Sequence, residues 1–264
     1  MILLFSLDLY IIVKNFRLKF ESMKSVVLCA GRGIRLLPHT QELPKCLLKV
    51  GPKTLLEYII ESFKKAGIQE IYLVTGFKEE RIKNLVKERG YSHISYVTNP
   101  HYLSTNTAFS LNLALKNMDD HFILINGDVI FDHNILIDLL NHPQKDCVVV
   151  DNSITLDKEE VKVIAQNGVI SQIGKDLNPA WCMGEAIGMN KISYDTIPLL
   201  SNEFDSLERK GELNHFFEKG FDLLADKTCS FGILLTNKTW TEIDTIDDYD
   251  YAKNEIYTKL QSKP

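Results

Sequence analysis

From Ser25 onward, short apolar runs alternate with longer segments whose apolar positions recur every three to four residues. Apolar-rich runs at 26–29, 71–74, 94–97 and 122–125 have the length and composition of buried strands. Between the first two, Thr54 and Glu57 form a capping box ahead of Leu55, Leu56, Ile59, Ile60 and Phe63, and Gly67 ends that helix. A charged outer helix is predicted over 79–87 and another helix over 107–115. Strands and helices alternating at this spacing imply right-handed crossovers and a largely parallel sheet, with ligands beyond the carboxyl ends of the strands. Those ends are the 29–35 loop, Thr75-Gly76, Asn99 and Asp128.

The second half has a different texture. Short β runs at 147–151, 161–164, 169–173 and 186–189 predict a mixed or antiparallel extension, followed by helical segments around 192–199 and 212–224. A strand near 229–235 precedes a closing helix from Asp247 to about Lys259, with Thr245 as its N-cap. The expected class is α/β, a single domain over 23–264 with a mixed central sheet and a small β extension. Residues 1–22 are expected to be an extension ahead of it. They are strongly apolar to Val13, but Asp8 interrupts them, and the run is too short to span a bilayer. Met23, two residues before the first strand, is the expected start; the alternative is an amphipathic segment that packs on a membrane or a partner.

Composition narrows the partners. The net charge of −5 argues against a nucleic acid, whose phosphates select basic surfaces. The 5 cysteines are an odd number without a Cys-x-x-Cys pair, so neither a disulfide framework nor a zinc site is expected, and a reducing cytoplasm fits. Small-molecule substrates are expected, with no membrane span; a homo-oligomer is left open.

The densest chemistry follows the first strand, from Leu28 through Cys29-Ala30-Gly31-Arg32-Gly33-Ile34-Arg35 to Pro44-Lys45. Gly31 and Gly33 allow a tight turn and close approach of a ligand, since neither carries a Cβ. Successive free amides in such a turn make an anion site. Arg35 and Lys45 add cations, and Pro38 and Pro44 stiffen the loop between them. A dinucleotide fingerprint would want glycine where Leu36 stands, and the Gly-Lys-Ser/Thr ending of a P-loop is absent. The arrangement suits a nucleoside triphosphate.

This stretch resembles the signature of the nucleotidyltransferases that activate sugar 1-phosphates and small phosphate esters. In that family Ala-Gly-x-Gly-x-Arg-Leu is followed by Pro-x-Thr and Pro-Lys-x-Leu, here Pro44-Lys45-Cys46-Leu47, and the match continues through Val50-Gly51 and Leu55-Leu56-Glu57-Tyr58. The resemblance implies a Rossmann-like, glycosyltransferase-A-like domain and Mg2+ as cofactor. Cys29, Ala30, Gly31 and Gly33 would then meet the nucleotide, and Arg35 and Lys45 would be catalytic cations.

Asp128, just past a buried strand and next to Gly127, is well placed for a hard cation, which with a nucleotide is usually held by one or two carboxylates. The second would be Asp244, in Trp240-Thr241-Glu242-Ile243-Asp244, which resembles the family's Trp-x-Glu-Ile-Asp motif. Glu242 alternates with Ile243 and either aids the site or is solvated. Lys175 resembles the second family lysine, a catalytic group that contacts the acceptor's phosphate, with Lys162 as its rival. Asn99, Thr105, Asn106 and Ser110 either meet base and ribose or simply cap a helix. Glu185 and Gly188, in Gly184-Glu185-Ala186-Ile187-Gly188, resemble the acceptor-facing segment, with Glu185 suited to a polar or cationic group. Trp181 and Tyr194 either stack on the acceptor or pack in the core.

Thr105-Asn106, the 184–188 segment and the Trp240 motif bring the chain nearest to the phosphocholine-type cytidylyltransferases. The implied reaction transfers CMP from CTP to a small phosphate monoester and releases pyrophosphate. A sugar-1-phosphate nucleotidyltransferase using UTP, dTTP or CTP is the alternative within the family, and a nucleotide-binding subunit without turnover the alternative outside it.

Overall fold

The computed structural model describes residues 23–262 apart from 226 and 228, so the extension expected over 1–22 lies outside the described residues. The first half runs β1 (Lys24–Cys29), β2 (Lys49–Val50), β3 (Lys53–Thr54), α1 (Leu55–Ala66), β4 (Ile71–Thr75), α2 (Glu79–Glu88), β5 (Ile94–Thr98), α3 (Thr107–Leu115), β6 (Phe122–Asn126), β7 (Val129–Phe131) and α4 (His133–Asn141). The second runs β8 (Cys147–Asp151), β9 (Lys162–Gln166), β10 (Val169–Gly174), β11 (Gly184–Ile192), α5 (Ile197–Arg209), α6 (Glu218–Ala225), β12 (Gly232–Thr236), β13 (Trp240–Glu242) and α7 (Ile246–Tyr251). A π-helical turn (Ala252–Ile256) and α8 (Tyr257–Gln261) close the chain.

Nine strands form one mixed sheet in the order β5-β4-β1-β6-β11-β8-β12-β10-β9. The first four are parallel. β11 then runs antiparallel to both β6 and β8, and β9 with β10 makes an antiparallel hairpin at the edge. Strand alternation divides the core between the two faces of the sheet. Val27 and Cys29 pack with Ile59, Ile60, Phe63 and Leu136 on one face, while Val26 and Leu28 pack with Leu111, Leu200 and Phe221 on the other. Both faces being covered explains why these strands read as apolar runs rather than alternating ones.

The expected capping box is present: Thr54 Oγ1 accepts from the Glu57 amide at 3.2 Å, and Glu57 Oε2 accepts from the Thr54 amide at 2.8 Å. Gly67, with φ of 91°, ends the helix in the left-handed region that favours glycine. No described helix is long and apolar enough to cross a membrane.

One helix begins later than its pattern implies. Residues 213–217 are irregular because they serve α3: Leu213 and His215 carbonyls accept from the Asn106 and Ala108 amides, and Thr107 Oγ1 accepts from the Phe217 amide at 2.9 Å. The exposed amides of one helix start are thereby satisfied by the approach to another. α6 starts only at Glu218.

Candidate active site

β1 delivers the glycine loop to the carboxyl edge of the sheet. Gly33 has φ of 68°, and a Cβ there would come within 3.2 Å of Lys45 Cβ and 3.3 Å of Thr40 Cγ2. Thr40, fully buried, donates its hydroxyl to the Gly33 carbonyl at 2.6 Å. The loop is thus folded back upon Lys45, and only glycine fits its turning point. At Gly31 a Cβ would meet nothing within 4 Å, and the amides of Gly31, Arg32 and Gly33 make no backbone hydrogen bond among the described residues.

The carboxylates arrive from two distant segments. Beyond β6, Gly127 passes so close under β1 that a Cβ would lie 2.7 Å from the Leu28 carbonyl. Asp128 follows at once. β7 then pairs antiparallel with β13, setting Val129 opposite Glu242, and the Ile243 amide donates to the Asp128 carbonyl at 3.1 Å. This small ladder brings Glu242 and Asp244 beside Asp128. Buried Ile243 anchors the strand between them, while Thr245 caps α7 and Asp248 accepts from the Asp244 amide at 3.0 Å.

Asp128, Glu242 and Asp244 each present an oxygen within 4.8 Å of the others. Lys45 sits among them, donating to Asp128 Oδ2 at 2.7 Å and to Asp244 Oδ1. Arg35 donates to Asp244 Oδ2 at 2.7 Å and to Glu159 at 3.2 Å. Burial alone would lower the Lys45 pKa, but Asp128, Asp244 and Glu242 more than offset it, so the ammonium is held charged. Burial works to raise the Asp244 pKa and is outweighed by Lys45 and Arg35, leaving it below the usual range. Glu242 goes the other way, pushed well up by burial and by its two acidic neighbours. Asp128 Oδ1 is buried without a hydrogen-bond partner. A cluster of oxygens with one orphaned lone-pair donor fits a hard divalent cation.

These groups line one cavity of about 430 Å³ together with Lys175, Glu185 and Glu218. Lys175 Nζ stands 4.7 Å from the centre of the Phe216 ring. Burial pushes the Glu185 carboxyl up to about 8, with Glu160 and Asp151 adding to it. It pushes Glu218 up to about 7.

Residues 25–174, more than half of the chain, match the model of the MobA-like NTP transferase domain. The chain belongs to that family. Among its relatives, the CTP:phosphoglutamine cytidylyltransferase of Campylobacter jejuni is 28% identical over 253 residues, covering 86% of this chain and 98% of that protein. The bifunctional protein GlmU of Methanococcus maripaludis (strain C7) is 30% identical over 254 residues, covering 91% of this chain; the chain spans only 56% of that protein. In fold, the inositol-1-phosphate CTP transferase from T. maritima superposes with a TM-score of 0.77 at 20% identity, covering 91% of this chain and 97% of that one.

Not every residue singled out in the sequence of this NTP transferase faces the cavity. Lys162, the rival of Lys175, is 1% exposed, and its ammonium donates to the main-chain carbonyls of Asp157 and Glu160 at 2.8 and 3.0 Å. It braces the 157–160 turn and is not a phosphate ligand here. Lys162→Met is expected to lower stability by roughly 1–3 kcal/mol, the cost of stranding buried polar partners; a shifted urea midpoint with unchanged acceptor KM is the check.

Gly188 is not part of the cavity wall: its φ is 72° and a Cβ would lie 2.6 Å from Asn126 Nδ2, so it makes room for a neighbouring side chain. Cys29 lies beneath the loop, 4% exposed, its free thiol hydrogen-bonding with that of Cys46. Asn99, Thr105 and Asn106 do line the cavity, but their side chains are committed within it. Asn99 donates to Thr105 and Ser110 at 3.0 Å and accepts from the His101 amide, and Asn106 caps α3. Trp181 is 72% exposed and Tyr194 lies at the opposite end of β11, so they form no cage with the acceptor wall.

Other lining residues went unmarked in the sequence. Arg32 stacks over Phe77 at 5.5 Å, and Glu218 and Asn126 complete the wall. The Asn126-Gly127-Asp128 sequence is a signal for the second of these; only the capping role of residues 213–217 explains the first position of α6.

Proposed function

We propose that the protein transfers a nucleoside monophosphate, CMP from CTP, to a small phosphate monoester and releases pyrophosphate. The observation that carries this reading is the packing of Lys45 and Arg35 on a glycine loop against the Asp128, Glu242 and Asp244 carboxylates, in one cavity with a separate lysine, Lys175. Cytidylyl transfer is favoured because the relative from C. jejuni, which the chain covers almost completely, is named for CTP.

An acceptor phosphate is largely dianionic at neutral pH, its second pKa being about 6. One of its oxygens bonds to the α-phosphorus as the α–β bridging bond breaks, and the electron pair leaves with pyrophosphate. No proton need be moved, and among the described residues no histidine lines the cavity. Asp128 and Asp244, with Glu242 alongside, would hold Mg2+, which would supply charge neutralisation at the triphosphate. The chain's own part is electrostatic and positional. The Gly31–Gly33 amides and Arg35 face the triphosphate, Lys45 exchanges its carboxylate partners for phosphate oxygens, and Lys175 holds the acceptor's phosphate.

The test is pyrophosphate release with CTP, UTP, dTTP, ATP and GTP against a panel of phosphate monoesters. CTP is expected to be the best donor, and no release with any pair would overturn the proposal. Within the same assay, Lys175→Ala is expected to raise the acceptor KM by tenfold or more, leaving CTP binding almost intact, since it removes ground-state contact to the acceptor. Weakened CTP with an unchanged acceptor KM would assign Lys175 to the wrong phosphate.

A further inference from the structure

Two buried nucleophiles have no part in nucleotidyl transfer as described. Cys29, the last residue of β1, is 4% exposed, and Cys46, directly after Lys45, is 2% exposed. Both thiols are free, and they hydrogen-bond to each other. The two residues stand at the two ends of the loop that carries Gly31, Gly33 and Arg35. Gly127 makes room for them: a Cβ there would lie 2.8 Å from Cys29 Sγ and 3.3 Å from Cys46 Cβ.

A free cysteine often packs as a small hydrophobe. This pair has something more beside it, a second cavity of about 40 Å³ lined by both cysteines with Gly31, Lys45, Gly127 and Asp128. That exceeds the room one water needs and suits a molecule the size of hydrogen peroxide. The small cavity shares Gly31, Lys45 and Asp128 with the large one, so a small oxidant entering the active site comes to the sulfurs.

We propose that Cys29 and Cys46 are a reversible thiol–disulfide pair, oxidised by a hydroperoxide, whose closure displaces Lys45 and disables the triphosphate loop. One sulfur bonds to a peroxide oxygen as the O–O bond breaks, which releases water and leaves a sulfenic acid. The other sulfur then bonds to the first as the S–O bond breaks, and the hydroxyl departs with the second thiol's proton as water. Two thiols are oxidised and one hydrogen peroxide is reduced to two waters.

A disulfide holds its sulfurs about 2.05 Å apart, closer than any hydrogen-bonded pair. Cys29 is fixed, because β1 is paired on both sides, with Cys29 opposite Thr75 and Leu28 opposite Asn126. Cys46 sits in a single 3-10 turn, Lys45–Leu47, and is the one to move. Lys45 moves with it, away from Asp128, Asp244 and the Gly33 turn against which its stem packs. The effect on CTP rests on the transfer reading above; the disulfide itself does not.

The test treats the reduced full-length protein with hydrogen peroxide, alkylates the remaining thiols under denaturing conditions, and maps the peptides by mass. A Cys29–Cys46 cross-link that dithiothreitol reverses is expected. Calorimetric titration with CTP should show affinity at least about tenfold weaker in the oxidised protein, the scale of one charged hydrogen bond, and full recovery on reduction. Cys29→Ala and Cys46→Ala should each make CTP affinity insensitive to peroxide. Recovery of both cysteines as thiols, a cross-link to Cys147, Cys182 or Cys229 instead, unchanged CTP affinity in the cross-linked protein, or a loss that persists in both variants would each overturn the proposal. Failure of the reduced protein to bind CTP would refute the donor reading instead. The pair would then be judged by the mass map together with amide hydrogen exchange over residues 30–45, which a displaced Lys45 must alter and an inert cross-link would not.

Discussion

Lys45→Ala is expected to lower kcat by on the order of a hundredfold or more with every acceptor, the usual scale for losing one electrostatic stabiliser. The lysine is only 13% exposed, follows Pro44, and its stem packs against Gly33, which fixes its ammonium between Asp128 and Asp244. Its charge matters most as the α–β bond breaks and pyrophosphate gathers negative charge, which is why the effect falls on kcat before KM. The same substitution removes the cation shared by Asp128 and Asp244, so the ligand-free variant should also melt lower. Magnesium should recover more of that loss in the variant than it adds to wild type, because a divalent cation can then take over the whole cluster. Steady-state rates at saturating CTP and thermal melts with and without magnesium provide the check. A kcat within threefold of wild type would remove Lys45 from the chemistry.

The first half of the fold was legible because each element carries its own signal. The strand at 71–75 and that at 122–126 are covered on both faces and so are apolar up to their last residues, Thr75 and Asn126, and α1 is bracketed by a complete capping box and a left-handed glycine. The glycine loop was legible for a related reason: Gly33, Pro44 and Lys45 lie on one continuous loop of the sequence as well as close in space. Where function depends on contacts between distant segments, local pattern is silent. The β7–β13 ladder that gathers the carboxylates has strands of three residues, too short to show a period, and joins segments more than a hundred residues apart. Glu218 was hidden similarly, because its place is set by the carbonyls of Leu213 and His215 bonding to α3. α4 was not assigned in the sequence, although Asp132 caps it and Ile135, Leu136, Leu139 and Leu140 form an apolar stripe. Lys162 shows the opposite error, since a lysine on a strand looks available until the 157–160 turn closes over it.

Asp128→Asn and Asp244→Asn are each expected to reduce turnover nearly to background, and EDTA should do the same to the unaltered protein. Both residues offer carboxylate oxygens to the cluster, and a carboxamide carries neither the charge nor the full acceptor capacity that a hard cation requires. The stability outcome separates this cause from unfolding. Three carboxylates crowded within 4.8 Å repel one another, which is part of why Glu242 is pushed well above the usual range. Removing one negative charge relieves that repulsion while Lys45 keeps the other aspartate as a partner. The variants should therefore melt close to wild type in the absence of magnesium. They should also lose the thermal stabilisation that magnesium gives wild type, since a ligand that binds the folded state raises its stability by an amount that grows with the logarithm of its concentration over its Kd. Arg35 distinguishes the two positions: it pairs with Asp244 and not with Asp128, so Asp244→Asn should additionally loosen Arg35 and weaken CTP binding, whereas Asp128→Asn should leave CTP affinity in EDTA unchanged. Undiminished activity in either variant would take that residue out of the metal site.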